Sequence, residues 1–166
     1  MALAALALLP VFGRKSVVGV QTKQLSNAKQ LGTAAKLYAM DNEGRFPLHL
    51  AEVEPDYLPS GSFEQLLCEA IDGDKKLPRL KYEWLYFGAF FDEKNPPPLL
   101  IASPQAFTAD KKQKRVIIRG DGSGSIVNDD EYQQELRKTI DAMHQRAGTP
   151  ASKPDAALDA VKATAH

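Results

Sequence analysis

The side chains able to do chemistry are few and scattered. His49, His144 and His166 are the only histidines, with no H-x-x-x-H spacing, and Cys68 is the only cysteine. Three dispersed imidazoles and one thiol do not make a structural zinc site, and a single cysteine closes no internal disulfide. The densest oxygen-bearing group is Asp121, Asn128, Asp129 and Asp130. It is a candidate calcium site, since Ca²⁺ is a hard cation that takes roughly six to eight oxygens. The acidic members also suit a simpler role, because carboxylates favour the N-terminus of a helix. Gly120, Asp121, Gly122, Ser123 and Gly124 have the glycines of a phosphate cradle, but neither the Lys-Ser/Thr pair nor the following helix of a P-loop, and they read as a hairpin turn. There is no Gly-x-Ser-x-Gly and no specific Ser-His-Asp set. Asp41, Asn42, Glu43 and Gly44 lack the spacing of an EF-hand and read as a helix stop. Cys68, beside Leu66 and Leu67, reads as a half-buried small apolar residue, and Trp84, Tyr86 and Phe87 as packing aromatics. The chain is therefore expected not to be an enzyme and, calcium aside, to need no cofactor.

The elements that must carry these residues follow from pattern. With 166 residues, 43% apolar and 25% charged, the chain has the composition of one soluble domain. Lys plus Arg and Asp plus Glu balance at 21 each, so no global field draws it to nucleic acid. Residues 2–12 (ALAALALLPVF) form an apolar run broken only by Pro10 and followed by Arg14 and Lys15. As helix it rises about 16 Å against a hydrocarbon core of roughly 30 Å, too short to span a bilayer. It also lacks the basic n-region and small-residue cleavage site of a secretory signal.

From Lys15 the pattern runs on to Asp41, with Leu25, Ala28, Leu31, Ala35 and Tyr38 at steps of three and four, which predicts one amphipathic helix. Gly32 costs it about 1 kcal/mol relative to Ala. Lys23, Gln24, Asn27, Lys29, Gln30 and Lys36 are expected on its solvated face. Residues 48–76 read as an acidic surface insertion, with a short helix over 62–70 capped by Ser62. Strands are expected at 80–91, at 99–102 after three prolines, and in a hairpin pairing 115–119 with 125–128. Asn128 or Asp129 then caps a last helix to about Arg146, with Tyr132, Leu136, Ile140 and Met143 on one face. Residues 147–166 read as a mobile tail with at most a marginal helix.

The stretch 25–47, LSNAKQLGTAAKLYAMDNEGRFP, resembles the helix and following loop of type IV pilin-like proteins, in particular the major, G-type pseudopilins of type II secretion. The matching positions include Asn27, Lys29, Gln30, Leu31, Gly32, Tyr38, Asp41, Asn42, Gly44, Phe46 and Pro47. ALAALALLPVFGR resembles the second half of the family's amino-terminal methylation segment, and RVIIRGDGSGSIV at 115–127 its closing hairpin. The three matches cover about a third of the chain, in the family's order. The family's basic leader, Gly-Phe peptidase site and early glutamate precede the matched region, and the sequence starts after them, as the remainder of a longer amino-terminal segment would.

The resemblance implies an α+β fold, a long N-terminal helix packed on a small antiparallel sheet of about four strands, with a C-terminal helix. It divides the chain into an apolar helix half at 1–20, a pilin-like head at 21–146 and a tail at 147–166. It implies a structural subunit, a homo-oligomer or partner of other pseudopilins, held in the bacterial inner membrane with a periplasmic or extracellular head. Leu3, Leu6, Leu8, Leu9, Val11 and Phe12 would supply the helix-bundling contacts. It adds weight to calcium near the carboxyl end. The alternative is a soluble or envelope-associated binding module that recognises peptide or glycan through its sheet.

Overall fold

The computed structural model describes residues 17–69, 81–109 and 112–147. The architecture is the expected α+β one. Helix α1 (Val17–Asp41) comes first, followed by a 3-10 turn (Leu50–Val53) and α2 (Ser62–Leu66). Seven short strands then run as β1 (Cys68–Glu69), β2 (Lys81–Tyr82), β3 (Leu85–Tyr86), β4 (Ile101–Ala102), β5 (Phe107–Ala109), β6 (Lys112–Ile118) and β7 (Gly124–Asn128). Helix α3 (Asp129–Ala147) closes the described chain.

Strand β6 organises the main sheet. On one side it pairs with β7 through the register Lys114↔Asn128 to Ile118↔Gly124. On the other it takes β5 at one end (Phe107↔Lys114) and β4 at the other (Ile101↔Ile118), and β3 pairs with β4. All pairings are antiparallel. Side chains alternate across a strand, and here both faces are covered. Val116 and Ile118 join the buried cluster of Ala28, Leu31, Ala35 and Ala39 from α1, whereas Ile117 and Val127 join Tyr132, Leu136 and Ile140 from α3. A sheet sandwiched between two helices has no solvent face to polarise, which is why β6 ends in a continuous apolar run.

The long helix forms as expected and stops where expected. Glu43 and Gly44 adopt positive φ, the Gly44 N–H donates to the Ala39 carbonyl at 2.8 Å, and the Asn42 amide donates to the Tyr38 carbonyl. This left-handed exit satisfies carbonyls the last turn would otherwise leave open. Gly32 serves close approach, since a Cβ there would stand 3.0 Å from Ile118 Cγ2. The last helix is capped by Asn128, whose Oδ1 accepts from the Glu131 N–H at 2.9 Å.

The structure departs from expectation at five points. Residues 80–91 are not one strand. Lys81 and Tyr82 pair with β1 in a separate two-stranded ribbon, Leu85 and Tyr86 pair with β4, and Gly88–Phe90 is a 3-10 turn. Trp84 is the pivot, buried with its indole N–H donating to the Leu66 carbonyl at 2.8 Å. The helix over 62–70 is only Ser62–Leu66, because Leu67 turns to extended backbone and hands the chain to β1. Ser62 does not cap it, because the Glu54 carboxylate takes the Gly61 and Phe63 N–H groups and Gly61 is the residue at the N-cap. β5 was not expected. Gln24 and Asn27, assigned to the solvated face, are buried.

Thr139 ties α3 to the sheet through a fully buried hydroxyl. Its Oγ1 accepts from the Leu99 N–H at 3.0 Å and donates to the Glu135 carbonyl at 2.9 Å. Thr139→Val keeps the shape and strands the Leu99 N–H, so it is expected to lower unfolding free energy by about 1–3 kcal/mol in urea titration. An unchanged denaturation midpoint would contradict this anchor.

Candidate assembly surface

Helix α1 shows two stripes. The inner one, Ala28, Leu31, Ala35 and Ala39, is buried on the sheet. The outer one, Thr22, Ser26, Lys29, Thr33, Leu37 and Met40, recurs at steps of three and four and is exposed throughout. Its far end is apolar, with Leu37 44% and Met40 66% exposed. A shallow open groove of about 560 Å³ runs along this face, with Ala34 in its lining and Tyr57 and Leu58 at one side.

The Tyr57 wall is positioned by the loop before α2. Leu50 and Val53 are buried beneath it, the Tyr57 hydroxyl donates to Asp41 Oδ2 at 3.0 Å, and its ring meets Tyr38 edge-on at 5.7 Å. Burial, then the Asp41 carboxylate, raise the Tyr57 hydroxyl above its ordinary pKa. Beyond the C-terminal end of α1, the backbone of Arg45 pairs with that of Asp92 in an isolated antiparallel β-bridge, and Leu48 and Phe90 on these two neighbouring segments are both exposed. Arg146 closes this end, stacking on Phe91 and binding Asp92, whose carboxyl desolvation pushes up but the Asn95 amide and Arg146 together hold below its ordinary value.

The four candidate calcium residues do not come together. Asp121 sits in the β6–β7 turn, where its carboxylate accepts from the Ser123 N–H at 2.7 Å, and the Ser123 hydroxyl and amide lower its pKa. Lys36 donates to its backbone carbonyl from α1. Asn128, the last residue of β7, and Asp129 and Asp130 just past it lie at the opposite end of the strand, roughly 15 Å away at about 3.4 Å per residue.

Asn128 caps α3, and Asp129 is bound by Arg115 Nε at 3.0 Å. The same guanidinium donates to the Ser103 and Pro104 carbonyls and lies 4.4 Å over the Tyr132 ring. Asp130 is exposed. Among the described residues no three His, Cys, Asp or Glu side chains are grouped to hold a metal ion.

Leu3, Leu6, Leu8, Leu9, Val11 and Phe12 lie outside the described residues, as do residues 148–166. Among the described residues no helix is long and apolar enough to cross a membrane. Trp84 and Phe87 are core residues, and Tyr86 is partly buried with its hydroxyl donating to the Pro47 carbonyl at 3.0 Å. Cys68 is more deeply buried than half.

Sequence reasoning passed over the inward-facing polar group of Gln21, Gln24 and Asn27. Its trace is spacing, because these residues continue the inner stripe of α1 toward its start.

Burial and the neighbouring Glu69 push the Cys68 thiol up to about 12. A raised pKa leaves the thiol protonated and inert at pH 8. A disulfide exchange reagent is therefore expected to label Cys68 at pH 8 only after denaturant is added, and rapid labelling of the folded chain would contradict its placement.

No family model, no curated protein and no solved structure matches the chain.

Proposed function

We propose that this chain is a structural, pseudopilin-like subunit of a type II secretion or type IV pilus-like filament in the bacterial cell envelope. Its head stands on the periplasmic or extracellular side of the inner membrane. The observation that carries the reading is α1, one uninterrupted helix of 25 residues that holds the head on its inner stripe and leaves its outer stripe uncovered among the described residues.

The apolar sequence 2–12 stands directly before it, with Arg14 and Lys15 between. In this role the helix is a shared spine, with the apolar sequence seeking lipid or neighbouring copies and the head fixed to the same rod. Leu37 and Met40 extend the contact surface along the outer stripe. Such a subunit works by packing and needs no catalytic group.

The alternative, a binding module that recognises peptide or glycan through its sheet, gains no aromatic platform from Trp84 and Phe87, which are buried in the core. What remains for it among the described residues is a sheet edge, along β7 or β5, which each pair with β6 alone, or along β3, which pairs with β4 alone.

The test is fractionation of cells producing the full chain, followed by cross-linking of the envelope. The chain is expected with the inner membrane, cross-linked to copies or to other filament subunits. Leu37→Glu combined with Met40→Glu is expected to keep the melting temperature within a few degrees, as exposed sites generally do, and to lose the cross-links. A full chain that is monomeric and soluble without detergent would sink the filament reading.

A further inference from the structure

Helix α1 is polar on its inner face where it first meets the head. Gln21, Gln24 and Asn27 are 8%, 2% and 6% exposed, whereas Leu31, Ala35 and Ala39 keep the same stripe apolar further along. Gln24 is fastened to β1, its Nε2 donating to the Glu69 carbonyl at 2.8 Å. Two buried polar atoms one helical turn apart, Gln24 Oε1 and Gln21 Nε2, have no partner among the described residues. Buried polar groups in native proteins are almost always hydrogen-bonded, to protein or to ordered water.

Gln24, though not Gln21 one turn earlier, lines a cavity of about 30 Å³ between α1, β1 and the turn that leads into β5, with Tyr82, Ser103 and Gln105 on its wall. A water needs about 10–15 Å³ of such space and two to four polar partners. The volume therefore holds one or two waters and falls far below the roughly 300 Å³ at which small-molecule pockets begin.

We infer that this cavity is a built hydration site, in which an ordered water donates to Gln24 Oε1 and reaches the Gln21 carboxamide. The two side chains stand at i and i+3, about 5–6 Å apart at Cβ, a span that one bridging water or a pair of waters closes. The polarity of the two atoms selects the ligand. One needs a donor and the other an acceptor, which a water supplies at once. A cation would leave the Gln21 N–H groups unmet, and an anion would leave Gln24 Oε1 facing a like partial charge. The water fixes the start of α1 to β1 and the β5 turn through exchangeable polar contacts, in contrast to the dry interface over Leu31 and Ile118. The site stands independently of the filament reading.

The test is a crystal structure of the full chain at a resolution that shows waters, paired with water-to-amide cross-relaxation in solution. Density within hydrogen-bond distance of Gln24 Oε1 is expected, as are cross-peaks from the Gln21 and Gln24 side-chain amides to water of long residence. Gln24→Leu is expected to abolish the Gln21 cross-peak while the rest of the amide spectrum is retained. A cavity empty of density, with the two carboxamides rotated into a direct hydrogen bond, overturns the site. So do water cross-peaks at Gln21 that Gln24→Leu leaves unchanged. If that variant does not fold, the density at Gln24 in the unaltered chain decides.

Discussion

Three consecutive side chains, Val116, Ile117 and Ile118, hold the molecule together, because each is buried and successive ones point to opposite faces of β6. Full burial of such a side chain contributes about 1.5–3 kcal/mol gross, against a net stability of about 5–15 kcal/mol for a domain. Both helices draw on the same short run, so neither can be reseated without disturbing the other. Gly32 lets α1 come down on Ile118, and Gly124 leaves room for the Ile118 side chain, whose Cδ1 would lie 2.7 Å from a Cβ at that position. The first and last described helices, α1 and α3, are thereby locked through one strand.

This lock decides which surfaces remain for function. Sandwiching the sheet removes its faces from use, and the aromatic segment is consumed in packing at Trp84 and Phe87. The acidic group near the carboxyl end is likewise spent on architecture. Asn128 caps the start of α3, Asp129 neutralises Arg115, and Asp121 shapes a turn. Arg119 is engaged by Glu131 and Glu135 along the same helix. What is left is the outer stripe of α1 and the exposed apolar side chains beyond its C-terminal end, surfaces suited to packing against another chain rather than to chemistry on a small molecule.

The parts of the fold legible in sequence were those with long periodicity. The stripe of α1, its Asn42-Glu43-Gly44 stop, the β6–β7 hairpin and the Asn128 cap all carry signals spread over many residues. Strands of two or three residues, such as β3 and β5, are too short for alternation to register, and only their pairing with β4 and β6 defines them. Ser62 carries a cap signal that goes unused because a carboxylate nine residues before Phe63, Glu54, takes the first N–H groups, and the helix stops at Leu66 because Leu67 turns to extended backbone. Gln24 and Asn27 were assigned to solvent by residue type, yet β1 and the β5 turn close over their part of α1. Of the candidate site residues, the acidic four share a short stretch of sequence but are divided by the length of β7.

The central claim is that α1 joins a head to an envelope-embedded assembly. Its most direct test is the intact mass and amino-terminal residue of the protein isolated from the native cell envelope. The expected result is a chain from the membrane fraction that begins with an N-methylated residue upstream of Ala2. An unmodified chain beginning at Met1 or Ala2 and recovered from the soluble fraction would contradict it.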